Sequence, residues 1–215
     1  MVADVQEIKK WESVEVERSA SEAKRKEAED LRIKQDIIER YQNPPSDTFY
    51  SLEYAYHLLG DVRGKTVLDY GCGLGDNSVL VAAHGAKVIG VDISPELIEL
   101  AEKRLEQHNM ADLADFRVGS AHELPLEDES VDVVFGMAIL HHLDLKLASD
   151  EVFRVLKKGG RAIFLEPVRN SKFIKFVRNL IPYTQPDVSP FERPLSDAEL
   201  KEFAARFTNY KSRAF

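Results

Sequence analysis

Three short apolar runs, at 65–70, 86–91 and 131–137, punctuate the chain and are rich in β-branched and aliphatic residues, which reads as buried strands. A short third strand at 114–118 and a fifth at 161–165 complete the set. Between them the spacing changes to a helical one. Residues 77–84 form a helix ended by Gly85. The stretch 95–109 turns Leu97, Ile98, Ala101 and Leu105 inward behind a Ser94 cap and Pro95, and 147–156 is helix up to a Lys157-Lys158-Gly159-Gly160 turn. Residues 1–40 hold no Gly or Pro and are dominated by Glu, Lys, Arg and Ala, which predicts helix of mixed charge. Its first half has little apolar face. Ile33, Ile37 and Tyr41 recur every four residues beside Ile38, so the docked half is expected at 31–41, with Trp11 anchoring the distal end. Asn43-Pro44-Pro45 breaks that helix. An aromatic helix then starts near Asp47, with Tyr50 the residue expected to reach a pocket. After an irregular 182–194, Ser196 caps a helix over 197–207, and 209–215 begins a sixth strand.

The densest chemistry follows the first run. Val67-Leu68-Asp69-Tyr70 leads into glycines at 71, 73 and 75, a turn in which backbone bends sharply and a ligand approaches closely. A dinucleotide fingerprint places its third glycine three residues after the second, whereas here that glycine arrives one residue early and Asp76 follows. An acidic helix start repels pyrophosphate and tolerates a ligand carrying sulfonium and ammonium groups. A nicotinamide dehydrogenase is disfavoured on the same grounds.

The pattern Val67-Leu68-Asp69-x-Gly71-Cys72-Gly73-x-Gly75 resembles the first motif of class I S-adenosylmethionine-dependent methyltransferases. The resemblance covers residues 60–167 and implies an α/β fold: a doubly wound, mostly parallel sheet, Rossmann-like, here with an N-terminal helical arm or flap over 1–44 ahead of the catalytic domain at 45–215. It implies S-adenosylmethionine as cofactor, S-adenosylhomocysteine as product, and in-line methyl transfer. The cofactor candidates are Asp69, Gly71, Cys72, Gly73, Asn77, Asp92, Ile93, Ser120, Ala121 and Met137. Asp92, 23 residues after Asp69, sits near the separation at which an acid meets ribose hydroxyls in such folds, with Ile93 against the adenine and Ser94 free to cap the next helix. Ser120 stands where the family usually has an Asp bonded to the adenine amine, which implies a weaker contact.

His141, His142 and Glu166, at the carboxyl ends of the fourth and fifth strands, are the candidates for a base or an acceptor contact. Relatives that methylate quinone-type phenols with a metal carry Glu-x-x-Glu-His where this chain has Ala138 and His141, so no metal site is expected. Cyclopropane-forming relatives carry Glu at the place of His141, which disfavours that chemistry. The family's seventh, antiparallel strand has no residues left for it.

Composition narrows the partners. The 215 residues suit one catalytic domain with appendages, and a net charge of -8 argues against a general nucleic-acid binder. Single Cys72 excludes an internal disulfide framework and fits a reducing, cytoplasmic setting. The stretch 168–181 sets Phe173, Ile174, Phe176, Val177, Leu180 and Ile181 among Arg169, Lys172, Lys175 and Arg178, with no acid. Two readings of it stand: peripheral contact with an anionic membrane, or a helix packed over the site with a solvated basic face, within a 168–195 lid or substrate segment. Self-association is open to the N-terminal helix and the sheet edge. The expected activity is methyl transfer to a small-molecule or lipid acceptor at oxygen, nitrogen or carbon; the alternative is a protein that binds the cofactor or its product without transferring methyl.

Overall fold

This computed structural model describes residues 4–169 and 192–215. Among them, strands β1 (Thr66–Tyr70), β2 (Lys87–Asp92), β3 (Ala114–Val118), β4 (Val131–Met137) and β5 (Leu156–Leu165) form one sheet in the order β3-β2-β1-β4-β5. Every neighbouring pair is parallel, with Leu68 of β1 between Ile89 of β2 and Val134 of β4. The order reverses beside β1, so the crevice outside the carboxyl ends opens there.

Both faces of the central strands are covered, which is why β1 and β4 read as near-continuous apolar runs. On one face Val67, Val133 and Phe135 pack with Tyr56 and Leu59 of α3 (Ser51–Leu59), Val79 of α4 (Asp76–Ala83) and Leu105 of α5 (Pro95–Gln107). On the other, Leu68, Tyr70 and Val134 pack with Val152 of α6 (Leu145–Val155) and Phe203 of α7 (Asp197–Phe203). Ser94 caps α5 by accepting the Leu97 N–H, and Ser196 caps α7 through a reciprocal box with Glu199. The expected α/β fold with a parallel, doubly wound sheet is the one observed.

The N-terminal forty residues depart from the expectation. They form two helices, α1 (Val5–Lys26) and α2 (Gln35–Gln42), separated by an extended segment that buries Leu31. The first half is docked as well as the second. Ile8, Ser19 and Ala23 are buried, α1 packs along α5, and Ala23 joins Leu31, Leu97 and Leu100 in a small cluster. Trp11 is half-buried, with Lys10 above its ring.

Two further boundaries move. The Lys157–Gly160 turn is absorbed into β5 as an irregularity, Val131 pairing with Leu156 and Val133 with Arg161. Residues 209–215 form no strand. Arg213 there donates to the carbonyls of Ser46 and Thr48 at 3.1 and 3.0 Å and stacks over Tyr54 and Phe215, so the tail is spent on α3 rather than on a ladder with β5. The expectations for 168–181, and for 182–194 up to residue 191, fall almost wholly outside the described residues.

Candidate functional site

The glycine turn follows directly from the sequence. Gly71, Gly73 and Gly75 all take left-handed backbone, with φ of 73°, 50° and 77°. Gly71 and Cys72 donate their N–H groups to the Val91 carbonyl, tying the turn to β2. A side chain at Gly71 would press on Ile139 Cδ1 at 2.7 Å, and one at Gly75 on Ala101 Cβ at 2.9 Å. Among the described residues, a Cβ at Gly73 meets nothing within 4 Å. The outer glycines serve packing, whereas Gly73 presents bare backbone to open space.

Asp92, the last residue of β2, holds that backbone in place. Its Oδ2 accepts the Gly73 N–H at 2.9 Å and its Oδ1 the Ser94 N–H at 3.1 Å. Ser94 caps α5 as expected, yet Asp92 is not left free by it; the Ile93 backbone also bonds to the carboxylate, whose four lone pairs still exceed these three donors. Burial raises the Asp92 pKa, outweighing these bonds.

Asp69 lies fully buried beneath the turn. Ser78 Oγ donates to its Oδ2 at 2.6 Å, while Oδ1 is buried without a hydrogen-bond partner among the described residues. Burial pushes its pKa up to about 7, against the Ser78 bond, with the charges of Asp92 and Asp76 adding to the rise. Asp76, at the start of α4, is paired with the buried Arg104.

Asn77 accepts the Tyr56 hydroxyl proton at 2.8 Å. Tyr56, not Tyr50, is therefore the aromatic residue of α3 linked to the turn; Tyr50 is exposed beneath Arg40. Cys72 is buried, with its thiol raised far above its ordinary range by burial, and its Sγ lies against Gly90. That is the environment of a space-filling thiol.

One strand further out, Gly119 donates to the Asp92 carbonyl at 2.9 Å, so the loop carrying Ser120 and Ala121 starts beside Asp92 and half-buried Ile93. Tyr70 secures it by donating to the Ala121 carbonyl at 2.6 Å. Ser120 Oγ donates to Glu12 of α1, and His122 Nδ1 approaches the same Glu12 oxygen at 3.0 Å. Burial raises the Glu12 pKa, but the bonds from His122 and Ser120 outweigh it and leave the carboxyl below its ordinary value. Nothing periodic in the sequence flagged Glu12 or His122, because their meeting depends on side chains 110 positions apart.

At the other side of the crevice, β4 ends at half-buried Met137 and the chain turns through Ala138, whose φ of 53° is unusual for a residue with a Cβ. Glu166, at the end of β5, accounts for this turn. Its Oε1 accepts the N–H groups of Ile139 and Leu140 at 2.9 and 2.8 Å, and its Oε2 lies 2.9 Å from His141 Nδ1. The Glu166 side chain is 2% exposed and that of His141 15%. The His142 ring lies 4.1 Å from that of His141, tilted by 41°, and burial lowers its pKa to about 4, the neighbouring His141 adding to the fall. The fold thus gathers Asp69, Gly71, Cys72, Gly73, Asn77, Asp92, Ile93, Ser120 and Ala121 at the ends of β1, β2 and β3. Met137, His141, His142 and Glu166 stand at the ends of β4 and β5.

Residues 68–164 match the family model described as a methyltransferase domain. The chain is 40% identical over 118 residues to a demethylmenaquinone methyltransferase of Symbiobacterium thermophilum, covering 53% of this chain and 47% of that protein. It is 32% identical over 151 residues to a ubiquinone biosynthesis O-methyltransferase of Coxiella burnetii, covering 66% and 62%. Among solved structures, the YcgJ protein from Bacillus subtilis superposes with a TM-score of 0.59 at 27% identity, over 69% of this chain and 64% of that one. Geranyl diphosphate methyltransferase in complex with GPP and sinefungin superposes with a TM-score of 0.54 at 26% identity, over 71% and 57%. The chain spans about half the length of the first curated relatives it matches.

Proposed function

We propose that the protein, whose residues 68–164 match the methyltransferase domain model, transfers a methyl group from S-adenosylmethionine to a small-molecule acceptor. The observation that carries the reading is the junction of Asp92 with Gly73: a carboxylate with spare lone pairs beside backbone that a side chain does not shield. A ribose diol suits the first and close ligand approach the second. Beneath them, the unpartnered Oδ1 of Asp69 and the nearby acids suit a cationic ligand and oppose a pyrophosphate.

The sulfonium supplies an already activated methyl group. The protein's share is alignment of the acceptor, worth about 7–11 kcal/mol, and removal of the acceptor's proton. His141 and Glu166 supply the second. With Nδ1–H donated to Glu166, His141 keeps an unprotonated Nε2 as a base, and Glu166 stabilises the imidazolium formed. Glu166 already accepts two backbone N–H groups, so its role is to position His141 rather than to take the proton itself.

A built base favours an acceptor with an ionisable hydroxyl, such as a phenol. The relatives' names, demethylmenaquinone methyltransferase and ubiquinone biosynthesis O-methyltransferase, suit that class. Among the described residues no helix is long and apolar enough to cross a membrane. The basic segment 168–181 favours reaching an apolar acceptor at an anionic lipid surface. Turnover with isotopically labelled cofactor against a panel of phenols, amines and lipids tests the proposal; methylation of a phenol that fails in His141→Ala supports it. Tight cofactor binding with no product across the panel argues for a binding protein instead.

A further inference from the structure

The Glu12 contact joins the N-terminal helix to the loop after β3, beside the candidate ribose ligand. Glu12 Oε1 receives both the Ser120 hydroxyl and His122 Nδ1. The Asp144 N–H points at His122 Nε2 at 3.0 Å, which places the imidazole proton on Nδ1 and makes His122 a fixed donor to Glu12. Glu12 Oε2 has no hydrogen bond among the described residues. Ser120 spends its proton on Glu12 and a lone pair on the His122 N–H at 3.0 Å. Ser120 therefore has no spare proton to give, and the carboxylate bonded to it is that of Glu12.

Position gives the charge a task. Gly119 bonds to the Asp92 carbonyl, and β3 pairs with β2. A nucleoside gripped by its ribose at Asp92 extends its base across one strand spacing, about 4.8 Å, towards the 119–122 loop. Resting on the cofactor reading above, we infer that Glu12 is a nucleobase-recognition residue delivered by α1: its carboxylate accepts the exocyclic amine of adenine and selects a 6-amino purine over a 6-oxo purine. The 6-oxo base would set a carbonyl oxygen against the carboxylate, two acceptors with no proton between them. α1 then forms one wall of the ligand site, and the missing carboxylate at position 120 is supplied from 108 residues away.

Calorimetry with S-adenosylhomocysteine and its deaminated analogue S-inosylhomocysteine tests this on the full chain. Wild type should prefer the adenine form by roughly tenfold or more. In Glu12→Gln, whose amide can turn either its oxygen or its NH₂ to the base, the preference should collapse towards unity while the melting temperature and helix content stay near wild type. An unchanged preference with equal weakening of both ligands would make Glu12 a clasp for α1 only, as would equal binding of both by wild type. If wild type binds neither, the cofactor reading fails and this inference with it.

Discussion

Glu166 Oε2 lies 2.9 Å from His141 Nδ1 while Glu166 Oε1 receives the N–H groups of Ile139 and Leu140, so one carboxylate fixes both the loop and the imidazole it carries. Substituting Glu166→Gln preserves an oxygen for the two amides but turns an NH₂ towards Nδ1, which drives the imidazole proton to Nε2 and removes the base. The expected result is a fall in kcat of about 10²- to 10⁴-fold with cofactor Kd nearly unchanged. Steady-state rates alongside calorimetry check it, and an equal loss in both quantities would assign Glu166 to loop folding alone.

The glycines of the turn divide by what surrounds them. Gly73→Ala meets no atom of the described residues, and its cost there is that of left-handed backbone, about 1–2 kcal/mol. It should melt cooperatively yet lose cofactor affinity, because the new methyl occupies the space left for the ligand. Gly71→Ala adds a collision with Ile139 to the same backbone cost and should lower stability further. Denaturant unfolding and ligand titration of the two variants separate these effects.

Asp69 makes stability depend on pH in a defined direction. Its pKa is about 7 in the fold against 3.8 ordinarily, so between those values the native state binds more protons than the unfolded one. Its contribution to stability is fully present below about pH 4 and is lost as pH rises towards 7. His142, lowered to about 4 from 6.5, acts oppositely over an overlapping window, gaining stability as pH rises. The difference between wild type and Asp69→Asn isolates the first. A cationic ligand above Asp69 favours its ionised form, so cofactor binding near pH 6 should release protons and tighten towards pH 7.5. Calorimetry in buffers of different ionisation enthalpy measures the release.

The central strands were legible because burial on both faces leaves its mark in them: β4 occupies 131–137, as its apolar run predicts. β3, at 114–118, holds no buried residue and was legible only as a short strand between two helical stretches. Asp92 and the glycine turn were legible by spacing. The docking of α1 was not, since it rests on polar contacts such as Glu12 with Ser120 and His122 and on small Ala23, none of which makes an apolar stripe. Nor was the fate of the tail. Arg213 bonds to two backbone carbonyls and two rings, a tertiary choice that the local sequence of 209–215 does not announce.

The role of Glu166 was half legible. Its place at a strand end marked it as a candidate, but the three donors that converge on it come from a loop 25 to 27 residues earlier.

Calorimetric titration of S-adenosylmethionine and S-adenosylhomocysteine into wild type and Asp92→Ala tests the central claim most directly. Wild type should bind both, and Asp92→Ala should lose about 1.5–3 kcal/mol, roughly ten- to a hundredfold, through the lost ribose bonds and the released Gly73 N–H. Failure of wild type to bind either ligand, or an affinity unmoved by the substitution, would contradict the site described.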